Sequence, residues 1–343
     1  MFPGSLQTFF QDRSNPTLTT NLVMKETRGV TNAPGAAQLF GNAGREYMEK
    51  YGAKLEDFAE IGRINHAHSK NNPYSQFQDQ YSLEQIMKST MIHAPLTKLQ
   101  CCPTSDGGAA AVLVSQKFLD ERPHLKSQAI QIAGQCLATD SPNLFNKSSI
   151  ELVGYSMSKH AAKVALEEAN VKPKDVKVVE LHDCFSANEM VTIDALGVSD
   201  PGKAHELVRA GGITYGGQCV INPSGGLISK GHPLGATGLA QCAELVWHMR
   251  GWANNRNMPN TDAALQHNLG LGGAVVCTVY KRPDGSVAPV LSDAEVGKIN
   301  GLGMLYPHFF TRNLSLSMNS SLSSVRLRTG MTSSCLYTCH RCC

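Results

Sequence analysis

Residues 222–238 read Asn222-Pro-Ser-Gly-Gly-Leu-Ile-Ser-Lys-Gly-His-Pro-Leu-Gly-Ala-Thr-Gly238, a glycine-rich turn that contains one histidine and leads into a helix. Glycine lets a backbone approach its neighbours closely. We expect the backbone to approach a ligand closely at the turn glycines, which are Gly225, Gly226 and Gly231. At the two later glycines, Gly235 and Gly238, we expect close helix packing. The helix start offers unpaired N–H groups to negative charge. His232 lies at the point of this turn, where its imidazole could donate to an oxygen as an oxyanion hole requires. The alternative is a glycine-rich connector with a hydrogen-bonded core histidine.

Strand and helix patterns alternate around this stretch, from about residue 128 to residue 282, which predicts an α/β layered fold. The predicted strands are 128–136, 177–181, 218–221, 263–267 and 274–280, and the predicted helices are 33–51, 55–68, 155–170, 185–196 and 234–250. The spacing i, i+3, i+4, i+7 in the last helix predicts a buried face made of Leu239, Cys242, Ala243 and Val246.

A second segment with chemical potential is His182-Asp-Cys-Phe185, which follows an apolar strand and opens a helix. His182 and Cys184 are therefore expected at the carboxyl end of a strand, where α/β folds form their sites. A helix N-terminus and two histidines nearby would lower the pKa of Cys184 and make its thiol exchange protons near neutral pH. The alternative is a buried structural cysteine.

Composition excludes several classes of function. The net charge is +3 and 17% of residues are charged, so no basic surface for nucleic acid is indicated. No apolar run reaches the roughly 20 residues that span a bilayer. Eleven cysteines without regular spacing do not predict a disulfide framework. Four of them lie beside His340 without the spacing of a metal site, and we expect free thiols in an unstructured tail; they are Cys335, Cys339, Cys342 and Cys343.

The 222–238 stretch resembles the thiolase signature, in which an asparagine, paired glycines and Gly-His-Pro-x-Gly-x-Thr-Gly recur. Residues 182–185 and the stretch Cys101-Cys-Pro-Thr-Ser-Asp-Gly107 are similar to the peroxisomal branch of that family, which carries the thiolase module of sterol carrier proteins. The resemblance runs from about Gly35 to about Arg282. It implies a thiolase-like layered α-β-α fold, present as the C-terminal half plus the loop domain.

The resemblance also implies a reaction and its residues. The activity would be that of an acyl-CoA C-acyltransferase, a 3-oxoacyl-CoA thiolase of the propanoyl-CoA type, in peroxisomal oxidation of fatty acids and of branched or bile-acid side chains. Coenzyme A is the co-substrate, with no other cofactor and no metal. His232 would activate the nucleophilic thiol and hold an oxyanion, and His182 would contribute to a second oxyanion hole. Cys184 would be the acid/base thiol, because the late loop 266–270 has no cysteine.

The same resemblance assigns coenzyme A binding to Gly231, Ser229, Asn222 and Gly270. The partner would be a second copy of the chain or a full-length thiolase. We expect a remnant of the N-terminal and loop domains in residues 1–127, the C-terminal thiolase domain in 128–282 and a disordered tail in 283–343. The segment that holds the family's nucleophile is expected to be missing.

Three interpretations stay open at this point. Cys101 or Cys102 could substitute as the nucleophile, although the family uses this pair structurally. The chain could instead bind acyl-CoA or a partner without turnover, or it could transfer lipid or sterol. The family is peroxisomal, but the C-terminus Arg341-Cys342-Cys343 is not a peroxisomal signal, so a cytoplasmic location stays open as well.

Overall fold

A computed structural model describes residues 17–271 and 273–299 of the chain. The α-helices in this part are α1 (Leu18–Arg28), α2 (Gly35–Tyr51), α3 (Leu55–Ser69), α4 (Leu83–Lys88), α5 (Gln116–Asp120), α6 (Ser149–Leu152), α7 (Tyr155–Glu168), α8 (Ser186–Ala195), α9 (Ala204–Arg209), α10 (Gly226–Lys230), α11 (Thr237–Arg250) and α12 (Asp293–Ile299). The strands are β1 (Met91–His93), β2 (Leu96–Thr97), β3 (Gln131–Thr139), β4 (Val178–Glu180), β5 (Val220–Ile221), β6 (Ala263–Gly270) and β7 (Ala274–Lys281). Every helix and strand predicted above is present, with ends that differ by a few residues.

Five strands form one sheet in the order β3-β7-β6-β4-β5. The pairs β3/β7 and β6/β7 are antiparallel, whereas β4 runs parallel to both β5 and β6. β1 and β2 form a separate antiparallel pair. The predicted α/β layered fold is therefore confirmed, and the parallel strands β4 and β5 end beside each other, at the edge where His182 and the glycine-rich turn begin.

Helices cover both faces of this sheet. Successive residues of a strand point to opposite sides, so neighbouring residues of β6 contact different helices. On β6, His267 points to α7, where Ser158 Oγ lies 2.9 Å from its Nε2. The preceding residue, Gln266, points to α11 and donates to Gly238 O at 2.7 Å. The sheet therefore lies between α7 and α11.

The large hydrophobic core lies on the α7 side and also contains residues of α2, α3 and α8. A hydrogen bond of 2.6 Å from Tyr47 Oη to Asp194 Oδ2 ties α2 to α8 within it. A smaller apolar cluster on the other face includes Val178, Leu245 and Ala264. Residues on both sides of the predicted domain boundary near residue 127 share the large core, so this division into domains stays a prediction.

The buried face of α11 differs from the predicted one. Leu239 is 39% exposed, and the predicted Cys242, Ala243 and Val246 are only half-buried. The buried side chains are instead Thr237, Gln241, Glu244, Leu245, His248 and Met249. Polar side chains can be buried here because they are paired: Arg256 Nε donates to Glu244 Oε1 at 2.8 Å, and Gln241 Nε2 donates to His267 O at 3.2 Å.

Of the expected tail, residues 283–299 are described, and they include α12 and a backbone hydrogen bond of 2.9 Å from Leu291 N to Gly251 O. The four C-terminal cysteines lie outside the described residues. Within those residues, all seven cysteines are free thiols. No helix in the described ranges is long and apolar enough to cross a membrane.

Candidate active site

Two histidines from separate segments meet at the carboxyl ends of β4 and β5. His182 follows β4, and His232 follows α10 and the glycine Gly231. Their ring centroids are 4.8 Å apart and their planes are nearly perpendicular, at 88°. A backbone bridge between Thr104 and His232 and a hydrogen bond of 3.0 Å from His232 N to Ser105 Oγ hold the second histidine in place. The structure thus brings together the two histidines that the sequence predicted.

Each ring is held through its Nδ1 atom. His182 Nδ1 lies 3.0 Å from Asn268 Oδ1, and His232 Nδ1 lies 2.7 Å from Thr237 Oγ1. In the part of the chain that the structure describes, neither Nε2 atom has a protein hydrogen-bond partner. Both Nε2 atoms are therefore without a protein partner and are free to bond to a ligand that reaches them.

Burial keeps both rings neutral. Burial lowers the pKa of His182 to about 4, against a smaller opposing effect of its hydrogen bond with Asn268. Burial, then repulsion by His182 once that ring is protonated and by Lys230, lowers the pKa of His232 to about 3. At neutral pH each ring therefore carries a single proton, and the position of that proton decides whether Nε2 is a donor or an acceptor.

Cys184, the predicted acid/base thiol, is buried, with 5% of its surface exposed. Cys102 N donates to Cys184 O at 2.9 Å, and Cys101 forms an antiparallel bridge with Phe185. Burial, followed by the charges of Cys102, Asp183 and Cys101, raises the pKa of Cys184 well above 9.0. The predicted lowering of this pKa is wrong, because the effect of burial and of other acidic groups outweighs a nearby helix N-terminus. The thiol is protonated at neutral pH and is suited to give a proton.

Asp183, between the two predicted catalytic residues, joins their segment to the glycine-rich turn. Its carboxylate accepts hydrogen bonds from Leu227 N at 2.7 Å and Ile228 N at 3.3 Å, at the start of α10. A methyl group at Gly226, whose φ is +60°, would overlap this carboxylate and lie 2.7 Å from its Cγ. The close approach that the sequence predicted at this glycine is therefore to a protein carboxylate and not to a ligand.

Two other glycines of the turn also lie against protein groups, and one does not. Gly225 lies against the backbone and Cβ of Ser69, and Gly238 lies against the amide of Asn268. Nothing lies within 4 Å of the position that a Cβ at Gly235 would take. Close helix packing is therefore confirmed at Gly238, and the expectation is wrong for Gly235, which is exposed.

Three carboxylates around the segment that carries His182 are buried. Asn65 Nδ2 joins two of them, with 3.0 Å to Asp183 Oδ2 and 2.7 Å to Glu189 Oε2. The third, Glu180, accepts from Ser224 N at 3.1 Å and lies 3.6 Å from Lys230 Nζ. Burial raises the pKa of all three, that of Asp183 to about 7. This network fixes α3, α8 and the turn relative to one another.

The residues predicted to bind coenzyme A have different surroundings. Ser229 Oγ contacts Ser69 Oγ at 2.7 Å and His66 Nδ1 at 3.1 Å. Asn222 is buried; its Oδ1 accepts from Leu181 N at 2.9 Å. Gly231 stands beside Ser105 with a φ of +115°, and Gly270 ends β6. The polar groups of Ser229 and Asn222 thus hold protein segments together, and direct binding of coenzyme A stays a prediction for all four residues.

Cys101 and Cys102 have the properties of structural thiols. Burial raises the pKa of each to about 12, and the Cys101 thiol donates to Thr97 O at 3.2 Å. A nucleophilic cysteine needs a lowered pKa or a base beside it. The surroundings of this pair therefore oppose the alternative in which one of them is the nucleophile. Within the described ranges, no cluster of three or more His, Cys, Asp or Glu side chains could hold a metal ion.

Sequence reasoning missed four residues that support the site: Asn65, Thr237, Glu189 and Asn268. Three consecutive polar residues, 266–268, lie within a buried strand, and that pattern was a usable signal for Asn268. Thr237 belongs to the quoted turn and could have been singled out there. Asn65 and Glu189 left no such signal, since polar residues on the helices α3 and α8 are expected to face water.

Comparison with known proteins adds relatives for most of the chain. Residues 138–281 match the family described as "Thiolase C-terminal domain-like". Sterol carrier protein 2 of Bos taurus is 55% identical over 282 residues, which cover 82% of this chain and 52% of that protein. The chain thus spans about half the length of the curated sterol carrier relatives it matches.

Two further relatives and one solved structure extend this picture. Non-specific lipid-transfer protein-like 2 of Caenorhabditis elegans is 48% identical, over 82% of this chain and 69% of that protein. Acetyl-CoA acetyltransferase of Methanothermobacter thermautotrophicus is 35% identical, over 71% of this chain and 63% of that protein. The solved structure titled "Ltp2-ChsH2(DUF35) aldolase" shares the fold, with a TM-score of 0.67 and 24% identity over 79% of this chain and 68% of that one.

Proposed function

The chain belongs to the thiolase family, together with sterol carrier protein 2, and from that premise we propose that its site carries out the proton-transfer half of a 3-oxoacyl-CoA thiolase reaction. An N–H donor of the histidine pair polarises the carbonyl of an acyl-CoA thioester, and Cys184 moves a proton at the carbon beside that carbonyl. The observation that carries this proposal is the contact of the His182 and His232 rings, whose centroids are 4.8 Å apart, with Cys184 two residues from His182.

In the cleavage direction of the family's reaction, the thiolate of a nucleophilic cysteine, which we propose a thiolase partner supplies, adds to the 3-keto carbon of a 3-oxoacyl-CoA, and the bond between carbons 2 and 3 breaks. The electron pair of that bond moves into the leaving acyl-CoA, which departs as an enolate. A hydrogen-bond donor at the histidine pair stabilises the enolate oxygen, and the Cys184 thiol gives its proton to carbon 2. The raised pKa of Cys184 supports this role, because an acid must hold its proton until the carbanion forms. Coenzyme A then accepts the shortened acyl group from the thioester.

The finer features of this activity are proposals that rest on the relatives. We propose a propanoyl-CoA C-acyltransferase activity on branched or bile-acid side chains, a peroxisomal setting, coenzyme A contacts at the turn around Gly231 and Gly270, and a thiolase partner or second copy. The name of the Methanothermobacter relative, an acetyl-CoA acetyltransferase, supports the acyl-transfer reaction class.

The test of proton transfer is exchange of the α-protons of propanoyl-CoA with deuterium oxide, followed by mass spectrometry with the full chain. We expect exchange above the rate in buffer, and a loss of about 100-fold or more in Cys184→Ala, the usual contribution of an acid/base group. Cys219→Ala is the matched control, because Cys219 is also a buried thiol whose pKa burial raises to about 12. Equal exchange by Cys184→Ala and Cys219→Ala would remove Cys184 from the mechanism.

A second candidate function is acyl-CoA binding without carbon–carbon cleavage. The high pKa of Cys101 and Cys102 favours it, since neither thiol is activated as a nucleophile. Thiolysis of a 2-methyl-branched 3-oxoacyl-CoA, followed by the loss of its enolate absorbance after coenzyme A is added, separates the two. Turnover supports the full thiolase reaction, whereas deuterium exchange without turnover supports the half-reaction alone. Lipid transfer, which the name of the Caenorhabditis elegans relative mentions for that protein, would instead appear as movement of sterol between vesicles.

A further inference from the structure

The Thr237 hydroxyl is the hydrogen-bond partner of the His232 ring. Thr237 is 1% exposed and begins α11, five residues after the histidine. Its Oγ1 lies 2.7 Å from His232 Nδ1 and 3.1 Å from Pro233 O. A hydroxyl has one hydrogen to donate, so it can serve as donor to only one of these two groups.

Pro233 O is already satisfied by the backbone. It accepts from Ala236 N at 2.8 Å and from Thr237 N at 3.0 Å, which uses the two lone pairs of a carbonyl oxygen. The separation of 2.7 Å between Oγ1 and Nδ1 is also typical of a hydroxyl donor, whereas N–H donors more often lie about 2.9 to 3.0 Å from an oxygen. The hydroxyl hydrogen is therefore best placed on the line to Nδ1.

We propose that Thr237 is a positioning residue that holds His232 in the tautomer with its proton on Nε2, so that the ring presents an N–H donor to the thioester oxygen. The ring is neutral because burial, His182 and Lys230 all disfavour a second proton. With Nδ1 occupied by a donor, the remaining proton lies on Nε2, the ring nitrogen without a protein hydrogen-bond partner among the described residues. The catalytic meaning of this tautomer rests on the proposed function, but the tautomer itself does not.

The neighbouring ring is in the opposite state. His182 Nδ1 faces Asn268 Oδ1, an amide oxygen that can only accept, so its proton lies on Nδ1 and its Nε2 has a lone pair. The pair thus offers one donor and one acceptor, 4.8 Å apart between ring centres. Such a pair binds the thioester oxygen at His232 and a hydrogen-bond donor, such as a thiol or a water molecule, at His182, whose Nε2 is then not the donor of the second oxyanion hole that the resemblance implies.

The experiment is long-range nitrogen–proton correlation NMR of the full chain labelled with ¹⁵N-histidine at neutral pH, because the two tautomers give different ¹⁵N shifts. The signals are assigned by their disappearance in His232→Gln and His182→Gln. We expect a protonated Nε2 in His232 and a protonated Nδ1 in His182. A protonated Nδ1 in His232 of the unmodified protein would overturn the proposal without any variant at Thr237.

Two variants then separate positioning from packing. Thr237→Val has a similar volume and no hydroxyl, and we expect it to shift the His232 signal toward the other tautomer and to slow deuterium exchange about tenfold, the value of one hydrogen bond. Thr237→Ser keeps the hydroxyl and is expected to restore both readings. An unchanged His182 signal shows that the valine variant is folded. If Thr237→Val keeps the Nε2 proton, the proposal is wrong; if the tautomer is as expected but no exchange occurs, the proposed function fails and the tautomer assignment stands.

Discussion

Gly238→Ala is a small change that should misplace a catalytic histidine through a residue that touches no substrate. The added Cβ would lie 2.7 Å from Asn268 Nδ2, whereas ordinary contact begins at 3.4 Å. The amide must therefore retreat by about 0.7 Å, since atoms repel steeply below contact distance. Asn268 Oδ1 is the partner of His182 Nδ1 at 3.0 Å, so the same movement stretches the bond that orients His182.

The magnitude follows from that displacement. A misplacement of about 1 Å at a catalytic group can cost 100-fold in rate, and we expect a loss of about 10-fold to 100-fold in deuterium exchange for Gly238→Ala. Overpacking of this kind costs about 1 to 3 kcal/mol of stability. Alanine is better than glycine in a helix by about 1 kcal/mol, which offsets part of that cost. The free energy of unfolding should therefore fall by no more than about 2 kcal/mol.

Gly235→Ala is the matched control. It adds the same methyl group three residues earlier, where nothing lies within 4 Å. Deuterium exchange of propanoyl-CoA gives the rate, and urea unfolding gives the stability of both variants. If Gly238→Ala exchanges as fast as Gly235→Ala and as the unmodified protein, the reasoning that runs from Gly238 through Asn268 to His182 is refuted.

Three further predictions use the buried acids and the thiol. Glu189→Gln should gain stability relative to the unmodified protein as pH rises above 4.5, by at most about 1.4 kcal/mol per pH unit, because burial raises the pKa of Glu189 and unfolding then releases the proton that the folded protein holds; parallel stability curves from urea titrations would contradict this. Gly226→Ala should lose about 3 kcal/mol or more, because its φ is +60° and the methyl group overlaps Asp183; a urea midpoint equal to that of the unmodified protein would count against the contact. Deuterium exchange should rise about tenfold per pH unit between about pH 7.5 and pH 9, because removal of the α-proton needs the Cys184 thiolate and the pKa of this thiol lies well above 9.0; a plateau in that range would show a lower pKa.

Local patterns predicted the elements and the two histidines because both depend on short stretches of sequence. The strand β7 is a largely apolar run that follows a glycine-rich turn, and His232 belongs to a dense motif that tolerates few other interpretations. The face that α11 buries could not be predicted in this way. Its polar residues are buried because Arg256 and the β6 backbone supply their partners, and those partners become neighbours only in the folded chain.

The pKa of Cys184 was predicted with the wrong sign for a related reason. The sequence shows a helix start after Cys184, which lowers a thiol pKa. It does not show that the Cys184 thiol is buried. Nor does it show that Cys101 and Cys102, more than 80 residues earlier in the chain, lie near this thiol. Electrostatic effects depend on distances in three dimensions, so a sign that rests on one neighbour fails when several others are brought in by the fold.

The contact between Asp183 and Gly226 also constrains how sequences of this kind can diverge. Because the carboxylate occupies the space where a side chain at position 226 would be, neither position is free to drift alone. A lineage that places a larger residue at 226 must first shorten the residue at 183, and the intermediate would lose two hydrogen bonds to the turn. Variation at these positions should therefore be correlated, and the effects of single substitutions there should not add.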